Sequence, residues 1–345
     1  MQDTPPSFDM TRLSNYLERN IDGFRGLRTA EKFSGGQSNP TYLLTADSGT
    51  YVLRRKPAGD LLPSAHAVDR EYRVLRALHG SDVPVARPWL LCEDEDVIGS
   101  MFYVMSFEEG RVFWDPALPE LDRHQRRPVH DEIIRILAAL HDLTPADIGL
   151  GGFGKPGNYF ARQFERWKTQ YRASETDRIA PMEDTIVWLG NNIPEDDGQV
   201  SLVHGDYRID NFIFHPTRPT ALAVLDWELS TLGHPMADLS YYCMGLRLPD
   251  LTSVKGLAGK DRAALGIPDE TEMIRRYCRL RGIALPRHWN FYLAFAFFRM
   301  SAILQGVYRR ALDGTASNAR ALELGKAVMP LSEMALDAIS GPRTF

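Results

Sequence analysis

LVHGDYRIDNFIFHP, residues 202–216, is the stretch on which the reading of the whole chain turns. It sets His204, Asp206, Arg208, Asp210 and Asn211 within eight residues, between the apolar runs Leu202-Val203 and Phe212-Ile213-Phe214. Charges this dense usually mark an exposed loop, but these flanks read as buried strands. A polar loop slung between two buried strands is a common way to fix chemically active groups. Asp206 and Asn211 stand five apart with Arg208 between them, so one short loop offers a carboxylate, an amide and a cation.

The chain has 345 residues, more than most single cores enclose, so two lobes are expected. Its 44% hydrophobic and 25% charged residues can build a sizeable core, and a net charge of −5 argues against wholesale nucleic-acid binding. From Val254 to Phe345 there are 14 Lys and Arg against 8 Asp and Glu, while the rest carries 26 against 37. That asymmetry reads either as a solvated helical face or as a basic site for an anionic ligand. The three cysteines, Cys92, Cys243 and Cys278, lie far apart and suggest neither a disulfide framework nor a zinc site. A reducing cytoplasm is the expected compartment. MQDTPPSFDMTRL at the N-terminus lacks a basic region followed by an apolar core, so it does not read as a signal peptide. The apolar run FYLAFAFF (291–298) stops at Arg299; it is too short to span a bilayer and reads as a buried helix, so no membrane partner is expected.

LRTAEKF, TYLLTA and TYVLRRK read as three short strands separated by glycine-containing turns. SAHAVDREYRVLRALHG follows as an amphipathic helix closed by Gly80, then PWLLCE and MFYVMSF as two more strands. Gly110 punctuates a hinge. Beyond it the pattern turns helical: RRPVHDEIIRILAALHDL, 158–177, 182–192 and most of 236–345, interrupted by the opening stretch and by ALAVLDWE. The expected fold class is α+β: a small antiparallel-sheet lobe over residues 1–107 and a larger, mainly helical lobe over 108–345.

Four features carry chemistry. Gly35, Gly36 and Ser38 lie in a turn whose backbone N–H groups could cradle phosphate oxygens. In YVLRRK, period-two alternation puts Arg54 on one strand face with Val52, and Glu71 on the next helix is an available anion. A basic strand residue paired to a helix Glu beneath a glycine loop is how protein kinases hold the phosphates of ATP. Lys56 is the alternative cation. Kinases also use the Asp206–Asn211 spacing, where the Asp takes the hydroxyl proton and the Asn holds Mg2+. Arg208 sits where a cation could neutralise the transferring group. Asp226 then follows an apolar strand fifteen residues on, suited to hold Mg2+, with Glu228 in reach of the same metal or its waters. His204 reads as structural, Asp210 as a local cap, and Asp238 as an N-cap or a brace for the loop.

VHGDYRIDN followed by VLDWELSTLGHPMADLSYY resembles the aminoglycoside phosphotransferase, or choline-kinase-like, family. GGQSNPTYLL, YVLRRKP, AHAVDREYRVLRAL and GNYFARQFERW resemble a subgroup that also occurs fused to acyl-CoA dehydrogenases in animals. The resemblance covers roughly residues 25–310. It implies a bilobal, protein-kinase-like fold and ATP with Mg2+ as cofactors. It implies Asp206 as catalytic base, Asn211 and Asp226 as metal ligands, Arg54 as the phosphate cation with Glu71 its partner, and adenine near Ser106 to Glu108. Many members carry Lys where Arg54 stands. The expected function is transfer of the ATP γ-phosphoryl group to a small-molecule hydroxyl. A hydroxy acid or hydroxyacyl-CoA is the leading acceptor, with Arg275, Arg276, Arg279, Arg299, Arg309 and Arg310 as candidates for a basic cluster. The competing readings are an antibiotic kinase and a non-catalytic nucleotide-binding pseudokinase.

Overall fold

Alternating apolar residues in three early strands, then long helical repeats, produce the order seen in the computed structural model, which describes residues 8–33, 39–57, 67–250, 255–315 and 320–341. The first part runs α1 (Met10–Asn20), β1 (Leu27–Lys32), β2 (Thr41–Ala46), β3 (Gly49–Arg55), α2 (Val68–Leu78), β4 (Pro88–Cys92) and β5 (Phe102–Ser106). Next come α3 (Arg123–Asp142), α4 (Tyr159–Ser174), α5 (Ala180–Asn191), β6 (Ser201–Val203), β7 (Phe212–Phe214), β8 (Ala221–Val224) and β9 (Thr231–Gly233). The chain ends in helices: α6 (Met236–Arg247), α7 (Arg262–Leu265), α8 (Glu270–Arg281), α9 (Trp289–Leu312), α10 (Ala321–Gly325) and α11 (Val328–Ser340). Contacts divide it into two compact units, Met1–Val112 with Asn211–Ser230, and Phe113–Asp210 with Thr231–Phe345.

The first unit is built on an antiparallel five-stranded sheet in the order β1-β2-β3-β5-β4. Asp9 caps α1, its carboxylate accepting from the N–H groups of Thr11 and Arg12 at 2.8 and 3.0 Å. Leu13 and Leu17, one helical turn apart, then face the sheet residues Tyr42, Leu44, Tyr51, Leu53, Phe102 and Val104 in a single core cluster. Strand alternation sends Arg54 the other way, to Glu71 of α2. The sequence boundary at 107/108 differs from this grouping because the β7–β8 hairpin is bonded to the sheet unit. Arg111 and Phe214 exchange two backbone hydrogen bonds at 2.8 Å, and Val224 N–H donates to Pro84 O at 2.8 Å. Gly110 is obligatory there, since a Cβ would sit 2.3 Å from the Phe214 carbonyl oxygen.

The second unit is helical, with β6 and β9 as a two-stranded antiparallel pair. The run at 291–298 lies inside α9, a 24-residue helix and so longer than that run implies. Among the described residues it is the one helix long and apolar enough to cross a membrane by length and composition. Here Phe291 to Phe298 are buried, and Phe291, Tyr292 and Phe295 close on Phe160 of α4 at ring-centroid distances of 4.9–5.5 Å. Phe160 is therefore part of the core.

Leu53 has no exposed surface and sits at the centre of the α1–sheet core. Leu53→Ala is expected to cost about 2–5 kcal/mol, and Asp9→Ala about 1 kcal/mol. Urea denaturation would show both as lowered midpoints at unchanged slope, the first several-fold larger.

Candidate active site

In the first unit, chemistry gathers on Arg54. Its side chain is 15% exposed, so its charge needs anions. Nε lies 2.9 Å from Glu71 Oε2, an ion pair rather than an aligned hydrogen bond. Nη2 lies 3.2 Å from Asp226 Oδ1 and 3.5 Å from Glu228 Oε2. Glu71 is buried and fully engaged: Asn39 Nδ2 donates to Oε1 at 2.9 Å and the Tyr103 hydroxyl to Oε2 at 3.1 Å. Burial weakens the Arg54 charge, but Glu71, Asp226 and Glu228 more than offset this and hold it cationic. Burial pushes the Glu71 carboxyl up to about 7 against the pull of Arg54, and the charges of Asp226 and Glu228 add to the rise.

The β7–β8 hairpin positions the proposed metal ligands. Phe212 pairs with Val224, and Leu225 N–H donates to Asn211 O at 2.8 Å, so Asn211 lies across from the residue preceding Asp226. Asp226 adopts a left-handed backbone, φ 64° and ψ 60°, at the start of the turn Trp227–Leu229. Among the described residues, no group of three or more His, Cys, Asp and Glu side chains is placed to hold a metal. The carboxylates of Asp226 and Glu228, both within 3.5 Å of Arg54 Nη2, do suit Mg2+, which takes one or two carboxylates and completes its shell with phosphate oxygens and water.

In the second unit, a buried carboxylate shapes the loop after β6. Asp238, third in α6, accepts from His204 N–H at 2.7 Å and Gly205 N–H at 2.9 Å. It is therefore a brace and not an N-cap. His141 Nε2 lies 3.3 Å away, and its Nδ1 is 2.7 Å from the Tyr277 hydroxyl. Burial pushes Asp238 up, but His141, His204 and the Gly205 N–H together hold its carboxyl below the usual range. Gly205 has φ 85°, which only glycine adopts cheaply. His204 is buried, and its Nδ1 accepts from Asp206 N–H at 3.2 Å, a structural role. Asp206 Oδ1 accepts the Tyr241 hydroxyl at 2.7 Å, and Arg208 Nε lies 3.8 Å from the same oxygen. Arg208 also pairs with Asp210. Asp206 and Asp210 hold the Arg208 charge against the cost of burial. A cavity of about 300 Å3 opens beside this loop, lined chiefly by apolar groups including Trp114, Met244, Leu246 and Met300, with Arg208, Asp210 and Lys255 as its charges.

Arg54, Glu71, Asp226 and Glu228 are thus gathered in one unit, and Asp206 and Arg208 in the other. Gly35, Gly36 and Ser38 lie outside the described residues. Ser106 N–H donates to Arg87 O, and its hydroxyl donates to Glu108 at 2.5 Å, so both Ser106 donors are committed within the protein. Lys56 follows the end of β3, and the carboxylates close on Arg54 instead. The six C-terminal arginines do not act as one cluster: Arg276 pairs with Asp131 and Arg309 with Asp313, while Arg275, Arg279 and Arg310 are exposed. More than half of the described Lys and Arg side chains in that region are exposed, on helices and on the loops between them. Arg299 alone of the six touches the Asp206 loop, donating to Gly205 O at 2.8 Å. Sequence reasoning missed Asn39, Tyr103, His141 and Tyr241 as partners. Tyr241 had a signal, lying three residues after Asp238 on the same helix face.

Residues 29–273 match the model of the phosphotransferase enzyme family. The chain belongs to that family. A crystal structure of a "putative aminoglycoside phosphotransferase" from Ralstonia eutropha is 49% identical to this phosphotransferase, with a TM-score of 0.90 over 97% of this chain and 100% of that one. Spectinomycin phosphotransferase, solved with ADP and spectinomycin, shares the fold at 16% identity and a TM-score of 0.63, over 95% of this chain and 98% of that one. Mouse acyl-CoA dehydrogenase family member 10 is 44% identical over 93% of this chain and 30% of that protein. Chicken family member 11 is 44% identical over 96% of this chain and 43% of its own length. The chain therefore spans less than half the length of those curated relatives.

Between the ordinary carboxylate value of 4.5 and about 7, the folded protein keeps a proton on Glu71 that the unfolded chain has lost. This contribution to stability is full below the lower value and is lost as pH rises to the upper one. Glu71→Gln should remove it. Urea midpoints followed across this window should fall more steeply with rising pH in the wild type than in the variant, and equal slopes would contradict the assignment.

Proposed function

We propose that this phosphotransferase is an ATP- and Mg2+-dependent kinase that moves the γ-phosphoryl group onto the hydroxyl of a small molecule. A hydroxy acid or its acyl-CoA thioester is the acceptor class we favour. One observation carries the reading: a half-buried guanidinium on β3 meets carboxylates from α2 and from the 226–228 turn. A phosphate-binding cation then stands beside two carboxylates able to hold a divalent metal. The ADP bound by spectinomycin phosphotransferase, which has this fold, supports nucleotide as the donor.

The transition state of phosphoryl transfer is loose, so the protein contributes positioning and charge neutralisation. Arg54, kept in place by Glu71, binds phosphate oxygens. Asn211, Asp226 and Glu228 hold Mg2+, which when bound neutralises charge on the phosphates. Asp206 orients the acceptor hydroxyl and takes its proton, and Arg208 offsets charge on the transferring group. The turn donors Gly35, Gly36 and Ser38 are assigned to the phosphates, and the Ser106–Glu108 segment to the base. Because Ser106 is already committed, the backbone after it is the better candidate for adenine.

For the acceptor, the support is the cavity beside the loop and the relatives. The lining is largely apolar, with two cations to one anion, and suits an anionic molecule with an apolar portion better than a polycation. The similar animal proteins are acyl-CoA dehydrogenase family members. A reducing cytoplasm, in which the buried free thiols of Cys92, Cys243 and Cys278 persist, is the compartment we propose.

The test is incubation of the purified protein with ATP, Mg2+ and a panel of hydroxy acids, their CoA esters, choline and aminoglycosides, read by mass spectrometry. Gain of one phosphoryl group by a hydroxy acid or its CoA ester is expected; gain by aminoglycosides alone would replace this acceptor reading with an antibiotic kinase. Asp226→Ala should abolish transfer, and Asp206→Ala should lower kcat by about 10²–10⁴. Wild-type turnover in either variant would refute the assignment of that residue.

A further inference from the structure

A general base works only if its carboxylate is held at a set angle to the proton it removes, and loop residues seldom hold themselves. Two side chains close on the Gly205–Asp206 segment from helices of the same unit. Tyr241, on α6, donates its hydroxyl to Asp206 Oδ1 at 2.7 Å. Arg299, on α9, donates from Nη2 to the Gly205 carbonyl at 2.8 Å. The two supports are joined to each other, because the Arg299 guanidinium lies 5.4 Å from the Tyr241 ring centroid. Its charge also sits 5.6 Å from the Trp167 ring on α4. Tyr241 is 4% exposed, and burial together with the Asp206 charge pushes its phenol well above the usual range, so it remains a protonated donor.

We propose that Tyr241 and Arg299 are positioning residues for the base, Tyr241 fixing the rotation of the Asp206 carboxylate and Arg299 fixing the backbone that carries it. The proposal rests on the assignment of Asp206 made above. In the transfer, the acceptor oxygen bonds to the γ-phosphorus, and the bond from that phosphorus to the β,γ-bridging oxygen breaks. ADP leaves with the electron pair, and the hydroxyl proton passes to Asp206. Without the Tyr241 hydroxyl the carboxylate loses a hydrogen bond that limits rotation about its χ2, a broad two-fold torsion, and part of its population then misses the proton. A packing role alone would need only the ring, which phenylalanine supplies. Arg299, grouped by sequence with the acceptor-binding cations, has a different role in the structure, since its hydrogen bond goes to main chain.

The test uses the full chain with MgATP and water as acceptor, so that no unidentified substrate is needed. Tyr241→Phe should lower kcat for ATP hydrolysis by about 10- to 100-fold while KM for MgATP stays within about twofold. Arg299→Lys, which keeps the charge but loses the planar fork, should lose about tenfold. Since both act through Asp206, Asp206→Asn/Tyr241→Phe should hydrolyse ATP no more slowly than Asp206→Asn alone. Wild-type kcat in Tyr241→Phe, or losses that multiply in the double variant, would overturn the proposal. So would loss of the cooperative melt in Tyr241→Phe, which would make the hydroxyl structural. Wild-type hydrolysis by Asp206→Asn itself would instead bring down the base assignment, and the proposal with it.

Discussion

A guanidinium largely withdrawn from water needs anions beside it, and the sheet unit is arranged around that requirement. Removing one partner of a buried pair leaves an uncompensated charge, at a cost of about 3–5 kcal/mol. Arg54 therefore ties β3 to α2 through Glu71, and to the 226–228 turn through Asp226 and Glu228. Glu71 is in turn held from β5 by Tyr103 and from the segment before β2 by Asn39. The charge is held in place because Glu71, its most buried partner, is itself anchored by Asn39 and Tyr103. That is the condition under which a cation can receive a phosphate without first reorganising.

The helical unit solves a similar problem with the sign reversed. Asp238 is buried and anionic, and two backbone N–H groups and a histidine satisfy it. Those same bonds dictate the path of residues 204 and 205, and the positive φ of Gly205 lets the chain turn directly into Asp206. Buried polar groups behind the loop thus decide the path of the backbone that carries Asp206. The pairing of β6 with β9 brings the start of α6, and Asp238 with it, up to the loop.

Much of this was legible in the sequence because it rests on period and spacing. Alternation in YVLRRK sent Arg54 away from the Leu53 face, helical spacing placed Glu71 on the next element, and the two apolar runs predicted the strands around the loop. Pairing partners separated by dozens of residues left no such trace. Asn39 and Tyr103 become visible only when tertiary contact brings a buried donor to a carboxylate. Strand order was equally hidden, since β5 lies between β3 and β4, a crossover that local pattern does not encode. The basic C-terminal segment misled for the opposite reason. Composition sums charge along the chain, whereas helices spread it around their faces, and Arg275, Arg276 and Arg309 end in unrelated places.

The left-handed backbone at Asp226 ties chemistry and geometry to the same residue. Non-glycine residues are destabilised there by about 1–2 kcal/mol, and aspartate and asparagine suffer least because their short side chains bond to the local backbone. Glutamate has the right charge but is not among the residues that tolerate this backbone, and glycine has the right freedom but no carboxylate to set against Arg54. Under the proposed metal role, position 226 is therefore narrowed twice over, and aspartate is the residue that meets both demands.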